Sequence, residues 1–228
     1  MSNMYPWVDE TRNFVGGRCP HRCKYCFVGK SRFPFVKKRY SFRLRLLHGE
    51  FDKPLGKDKT IFVCDCNDLF AEKIPSEWIL KVLLFCNKYP GNTYLFQSKN
   101  PKRFNEFKKM FPKKTLLGTT IESNRECYVS SAPPIRNRFM NIRFLSEEFN
   151  VMLSIEPILD FDLNKFVNII RKIKPIFVSV GADSKGCGLD SKGRGLIEPS
   201  KEKVLSLINE LKKFTKVKIK KNLERITK

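Results

Sequence analysis

The sequence predicts an α/β chain in which a parallel sheet, covered by helices, curls toward a βα barrel. Three observations lead there. Short runs that are apolar throughout recur along the chain, as strands buried on both faces do. Helical patterns with Gly and Pro stops lie between them. Polar residues close each run, and in βα barrels the strand ends build the catalytic face. At 228 residues, the whole chain is expected to be one domain (1–228), with its core at about 12–222 and a basic C-terminal segment at 212–228.

Taken in order, Arg12 to Val15 is the expected first strand, ended by Gly16 and Gly17. Thr60 to Cys64 is β-branched and apolar, followed by polar Asp65, Asn67 and Asp68. Pro75 to Trp78 opens a helix with Trp78, Ile79, Val82, Leu83 and Cys86 at helical spacing, stopped by Pro90 and Gly91. Thr93 to Gln97 is the next strand, closed by Ser98 and Lys99. Pro101 starts a helix whose buried stripe is Phe104, Phe107 and Phe111. Thr115 to Ile121 ends in Glu122 and Ser123, Asn150 to Ile155 in Glu156, and Pro175 to Val180 in Asp183. A helix from about Lys201 to Lys213 and a short strand, Lys216 to Lys220, complete six βα units and a seventh strand. Between them, Gly181 to Gly195 reads as a loop, either a lid over the barrel mouth or a linker.

Composition narrows the function classes. An apolar fraction of 41% fits a packed core rather than disorder. Met1 to Glu10 has neither the basic nor the apolar region of a signal peptide, and Val82 to Phe85 is far too short to span a bilayer. A cytoplasmic protein with no membrane partner is expected. Net charge is +22. Lys30, Arg32, Lys37, Lys38, Arg39, Arg43 and Arg45 follow one another without an acid, interleaved with Phe33, Phe35, Tyr40 and Phe42. Further basic clusters lie at Lys99 to Lys114 and Lys212 to Lys228. Cations neutralise phosphates and aromatics stack on bases, so a nucleic-acid partner, tRNA or DNA, is expected. A lysine-rich, solvated surface without a ligand is the alternative.

Eight cysteines in a reducing compartment point to metal or catalysis rather than disulfides. Cys19, Cys23 and Cys26 stand at C-x3-C-x2-C, just after the first strand, with no fourth cysteine close behind. A structural zinc site wants four protein ligands, which one of Cys64 or Cys66 would have to complete. Three thiolates fit three irons of a [4Fe–4S] cluster, whose fourth iron then stays open. Cys66 is also a candidate hydrogen-atom donor or redox thiol, and the pair can equally be small buried hydrophobes. Cys127 and Cys187 lack a C-x2-C partner, so a second cluster is not expected.

The cysteine loop, with Tyr25 before its third cysteine, resembles the signature of the radical S-adenosylmethionine (SAM) superfamily. Phe62 to Phe70, Gln97 to Pro101, Leu117 to Glu122 and Ser154 to Pro157 are similar to a phage-associated branch of it, distantly akin to the spore photoproduct lyase group. The resemblance implies a partial (βα)6 TIM-type barrel, a [4Fe–4S] cluster whose open iron SAM chelates, and a 5′-deoxyadenosyl radical that abstracts hydrogen. It also implies a reductant such as flavodoxin or ferredoxin. Cys19, Cys23 and Cys26 would hold the iron, and Tyr25 would pack on the adenine. The superfamily's Gly-Gly-Glu motif for the SAM ammonium is absent, so Asp65, Asn67 or Asp68 would take that task. Lys99 would meet the SAM carboxylate or a substrate phosphate. Glu122, Ser123 and Glu156 would hold ribose hydroxyls or substrate, with Glu156 and Cys66 the catalytic candidates. Two alternatives stay open: a zinc-dependent, non-catalytic nucleic-acid-binding protein, and a radical SAM enzyme for a small molecule or peptide.

Overall fold

A computed structural model describes residues 5–183 and 197–228. The anticipated loop glycines Gly186, Gly188 and Gly193, and Cys187, lie outside the described residues. Seven strands form one parallel sheet: β1 (Glu10–Arg12), β4 (Thr60–Val63), β5 (Thr93–Gln97), β6 (Thr115–Thr120), β7 (Asn150–Ile155), β8 (Phe177–Val180) and β9 (Lys216–Ile219), paired in that order. Because β1 and β9 stand at opposite ends of the order, the barrel is open between them. This is the α/β architecture of a partial barrel, as the sequence predicts. β2 (Val15–Gly16) and β3 (Arg45–Leu46) pair antiparallel in a separate two-stranded ribbon. The helices are α1 (Pro34–Tyr40), α2 (Ser76–Asn87), α3 (Ile135–Leu145), α4 (Leu163–Ile173), α5 (Lys201–Lys212) and α6 (Glu224–Thr227).

Strand alternation divides the core in two. Ile61, Val63, Tyr94, Phe96, Leu117, Val151, Leu153 and Val178 face outward onto helix residues such as Ile79, Val82, Phe166, Ile170, Leu207 and Leu211. Their sequence neighbours Phe62, Leu95, Leu116, Met152 and Phe177 face the barrel interior. There they meet Tyr5, Val8 and Trp7 from the chain's start. Tyr5 stacks on Trp7 and Phe62 at centroid distances of 5.0 and 5.7 Å. A buried strand needs apolar residues on both faces, which explains the unbroken apolar runs in the sequence.

Two elements differ from the sequence expectation. The first strand ends at Arg12, not Val15: Arg12 O accepts the Cys64 amide at 2.9 Å, and the chain then leaves the sheet to pair with Arg45–Leu46. The segment after Pro101 is a run of 3₁₀ turns, Pro101–Met110, rather than an α-helix. Residues three apart eclipse in a 3₁₀-helix. Pro101, Phe104 and Phe107 have that spacing and are all buried. Arg103, also buried, donates to Ala71 O at 2.6 Å and Ser76 Oγ at 3.1 Å, fixing the segment against the β4–α2 loop.

Fully buried Phe70 packs on Phe104, Phe96 and Phe111 at centroid distances of 4.6, 6.1 and 5.8 Å. Phe70→Ala is therefore expected to cost about 3–5 kcal/mol in urea unfolding. A loss below about 1 kcal/mol would contradict this packing.

Candidate functional site

The cysteine loop leaves the β2–β3 ribbon through Gly17, whose φ of +87° places it in the left-handed region. A Cβ there would meet Arg43 O at 2.2 Å, so the turn requires glycine. The amides of Gly17 and Arg18 donate to Arg39 O and Phe42 O, both at 2.8 Å. The loop and α1 thus form one excursion tied at its base.

Cys19, Cys23 and Cys26 line a cavity of about 170 Å³ at the carboxyl ends of the strands. Tyr25, Asp65, Cys66, Asn67, Asp68, Lys99 and Glu156 line the same cavity; Glu122 and Ser123 do not. Among the described residues, no three His, Cys, Asp or Glu side chains are grouped to hold a single metal ion. Burial, then Asp68 nearby, pushes the Cys19 thiol up to about 12. Burial likewise raises Cys23, with Lys99 opposing it. Metal ligation requires thiolates, so loading such thiols releases protons.

Two buried carboxylates lock this loop to the barrel. Glu122, at the end of β6, accepts from the Tyr25 hydroxyl, from Lys99 Nζ at 2.8 Å and from Arg138 of α3 at 2.8 Å. Lys99 Nζ also donates to the Tyr25 hydroxyl at 2.6 Å. Burial alone would raise Glu122, but Lys99 and then Arg138 overcome it and hold the carboxyl at about 2. Asp68 Oδ2 lies 2.7 Å from His21 Nε2 and accepts the Lys99 amide at 2.8 Å. Its Oδ1 accepts the Phe70 amide at 3.0 Å. Burial would raise Asp68 too, and His21 chiefly keeps it below the ordinary range. Asn67 donates to Gly17 O at 2.9 Å.

The remaining wall is less committed. Half-buried Asp65 accepts from Asn13 at 2.6 Å through Oδ1. Asp65 and Tyr40 lie near the Cys66 thiol, and burial, then the Asp65 charge, pushes that thiol up. Glu156 is paired by Lys220 Nζ at 2.9 and 2.8 Å. Tyr5 donates to Gln97 at 2.9 Å on the cavity's inner wall. Ser123 instead donates to Asp160 O, in the loop after β7, at 2.6 Å. Cys64 is buried at the cavity's edge, and Cys127 sits outside it, donating to Arg125 O at 3.0 Å.

Sequence reasoning did not find His21, Arg138, Tyr40 or Lys220 as site residues. His21 lies between two motif cysteines, which is a usable signal. Arg138 shares α3 with exposed Arg136 and Arg143, so residue type alone does not single it out. Lys220 is one of many C-terminal lysines.

Since the folded pKa of Glu122 lies below its ordinary 4.5, the carboxylate stabilises the fold above about pH 4.5 and loses that contribution as pH falls toward 2. Glu122→Gln leaves two buried cations without their anion and is expected to cost about 3–5 kcal/mol at neutral pH. Urea midpoints measured from pH 6 down to 3 should converge for the variant and the parent, and parallel curves would contradict the assignment.

The fold has counterparts among solved structures. A spore photoproduct lyase variant aligns at a TM-score of 0.66 with 12% identity, over 96% of this chain and 78% of that chain. Another, with bound AdoMet and dinucleoside spore photoproduct, aligns at 0.63 with 12% identity, over 92% and 75%. SuiB of Streptococcus suis, bound to its precursor peptide SuiA, aligns at 0.58 with 7% identity, over 94% of this chain and 49% of that one. These likenesses show the radical SAM fold. No curated protein sequence matches the chain. Among the described residues, no helix is long and apolar enough to cross a membrane. Residues 3–185 match a family described as protein of unknown function, and the chain belongs to that family, DUF5131.

Proposed function

We propose that the protein is a radical SAM enzyme acting on a nucleic acid. One observation carries this reading: three thiols of one short loop face the same cavity as the polar residues at the strand ends. A [4Fe–4S] cube takes each thiolate on a separate iron, so Cys19, Cys23 and Cys26 suit it without converging on one point. When bound, the cluster and SAM supply one-electron cleavage of the sulfonium and a 5′-deoxyadenosyl radical that abstracts substrate hydrogen. The protein supplies binding, orientation and exclusion of side reactions.

Within that division, Asp68 and Glu122 are positioning groups, because their oxygens are taken by loop and barrel partners. Tyr25, held by Glu122 and Lys99, has its ring fixed beside the cysteines and offers it to the adenine. Asp65, with one oxygen engaged and the residue half-buried, is the acceptor for the SAM ammonium in place of the missing Gly-Gly-Glu carboxylate. Cys66 stays protonated near neutral pH and is the hydrogen-atom donor on the cavity wall. Glu156 meets substrate as an ion pair with Lys220 rather than as a free carboxylate. A flavodoxin- or ferredoxin-type protein is the proposed electron donor. A net charge of +22 supports a polyanionic substrate. The spore photoproduct lyase with a bound dinucleoside, similar in fold, agrees with that class.

Anaerobic reconstitution is expected to give about four irons per chain and a brown chromophore, both lost when Cys19, Cys23 and Cys26 are replaced by alanine. The reduced protein should then convert SAM to 5′-deoxyadenosine in the presence of RNA or DNA. One zinc per chain, or a full cluster that never cleaves SAM, overturns the proposal. Asp65→Asn should weaken SAM binding about tenfold or more without loss of iron. Unchanged SAM affinity removes Asp65 from the ammonium site.

A further inference from the structure

The segment between the cysteine loop and β3 carries aromatic side chains that the core does not use. Phe33, Phe35 and Phe42 are 63, 52 and 69% exposed, and Phe27, at the cavity wall, is 37% exposed. Phe33 and Phe35 lie 5.8 Å apart, centroid to centroid, with their rings tilted by 34°. Phenylalanine is ordinarily a core residue, so several exposed in one short stretch mark a contact surface. Arg32, Lys37, Lys38 and Arg43 are exposed around them, and no carboxylate of the described residues pairs with any of these four. Between Glu10 and Glu50 the chain contains no acidic residue at all.

This surface joins the cavity wall through Phe27 and Val28. The β2–β3 ribbon and the Gly17 and Arg18 amides fasten its base. From its middle, buried Tyr40 lies near Cys66 of the cavity wall. Bound chain lying across the phenylalanines would therefore lie beside the cavity.

We propose that residues 27–43 form a stacking platform for an unpaired stretch of nucleic acid, with the phenyl rings against bases and Arg32, Lys37, Lys38 and Arg43 against phosphates. The assignment deepens the enzyme reading above and rests on it only for the claim that the bound strand serves the cavity. Two features favour an unpaired strand over its competitors. Stacking on a side chain needs an open base face, which a duplex covers and a single strand, loop or extruded base presents. A membrane-binding helix separates a long apolar face from a basic one. α1 has seven residues, with Lys37, Lys38 and Arg39 in succession around its turn.

The test uses cluster-free protein, so it does not depend on SAM chemistry. Fluorescence anisotropy compares a labelled single strand of about 20 nucleotides with the same sequence as a duplex, at about 50 and 200 mM salt. The single strand is expected to bind about tenfold or more tighter than the duplex, with affinity falling steeply with salt. The triple variant Phe33→Ala, Phe35→Ala, Phe42→Ala should bind it about thirtyfold or more weaker. Its melting temperature should stay unchanged, since the three rings are exposed. Lys37→Glu with Lys38→Glu should flatten the salt dependence. Equal single-strand and duplex affinity, a triple variant that binds like the parent, or capture by phosphatidylserine vesicles in place of oligonucleotides each overturns the platform. If the oligonucleotide results hold while reconstituted protein cleaves no SAM, the platform stands and the enzyme proposal falls.

Discussion

Glu122 is a carboxylate with no exposure to water, and the geometry of the cavity depends on it. Burying a lone charge is expensive, so this one persists only because Lys99, Arg138 and Tyr25 surround it. Those three partners come from three places: the end of β5, helix α3 and the cysteine loop. Satisfying a single anion therefore pins the loop against the barrel wall. Asp68 does the same from the end of β4, through His21 and the Lys99 amide. The loop is thus ordered by two buried anions together with the packing of Tyr25 on Val129 and Leu159.

The open barrel gives these contacts their purpose. Strands β4 to β8 place their polar ends around one mouth, while Tyr5, Trp7 and Val8 fill the interior beneath it. The cavity thus has an apolar base and a polar rim. Across the rim stand the basic, aromatic stretch around α1 and the Glu156–Lys220 pair near β9. The cavity lining itself carries Asp65, Asp68, Glu156 and Asp183 beside Lys99, so the excess of cations in the whole chain lies outside it.

Much of this was legible in the sequence, for a physical reason. Strands buried on both faces must be apolar throughout, so Thr60–Val63, Thr93–Gln97 and Asn150–Ile155 stand out with nearly their observed bounds. Polar residues at their ends mark the mouth. What escaped notice depends on distant pairing. Val15 pairs with Leu46, far along the chain, which no local pattern announces. The Phe104–Phe107 spacing reads as part of a helical stripe, although three-residue steps suit a 3₁₀ run better. Arg138 looks like any surface arginine until Glu122 is placed beside it. Phe33, Phe35 and Phe42 are the reverse case: apolar by type, yet left outside the core by a short helix with no sheet behind it.

The central claim is that Cys19, Cys23 and Cys26 hold a cluster whose remaining iron is open to SAM. Electron paramagnetic resonance of the reduced, reconstituted protein, recorded with and without SAM, tests it most directly. The account predicts a [4Fe–4S]⁺ signal whose g-values shift when SAM is added, because SAM ligates the open iron. A signal indifferent to saturating SAM, or a protein that takes up zinc and forms no cluster, would contradict it.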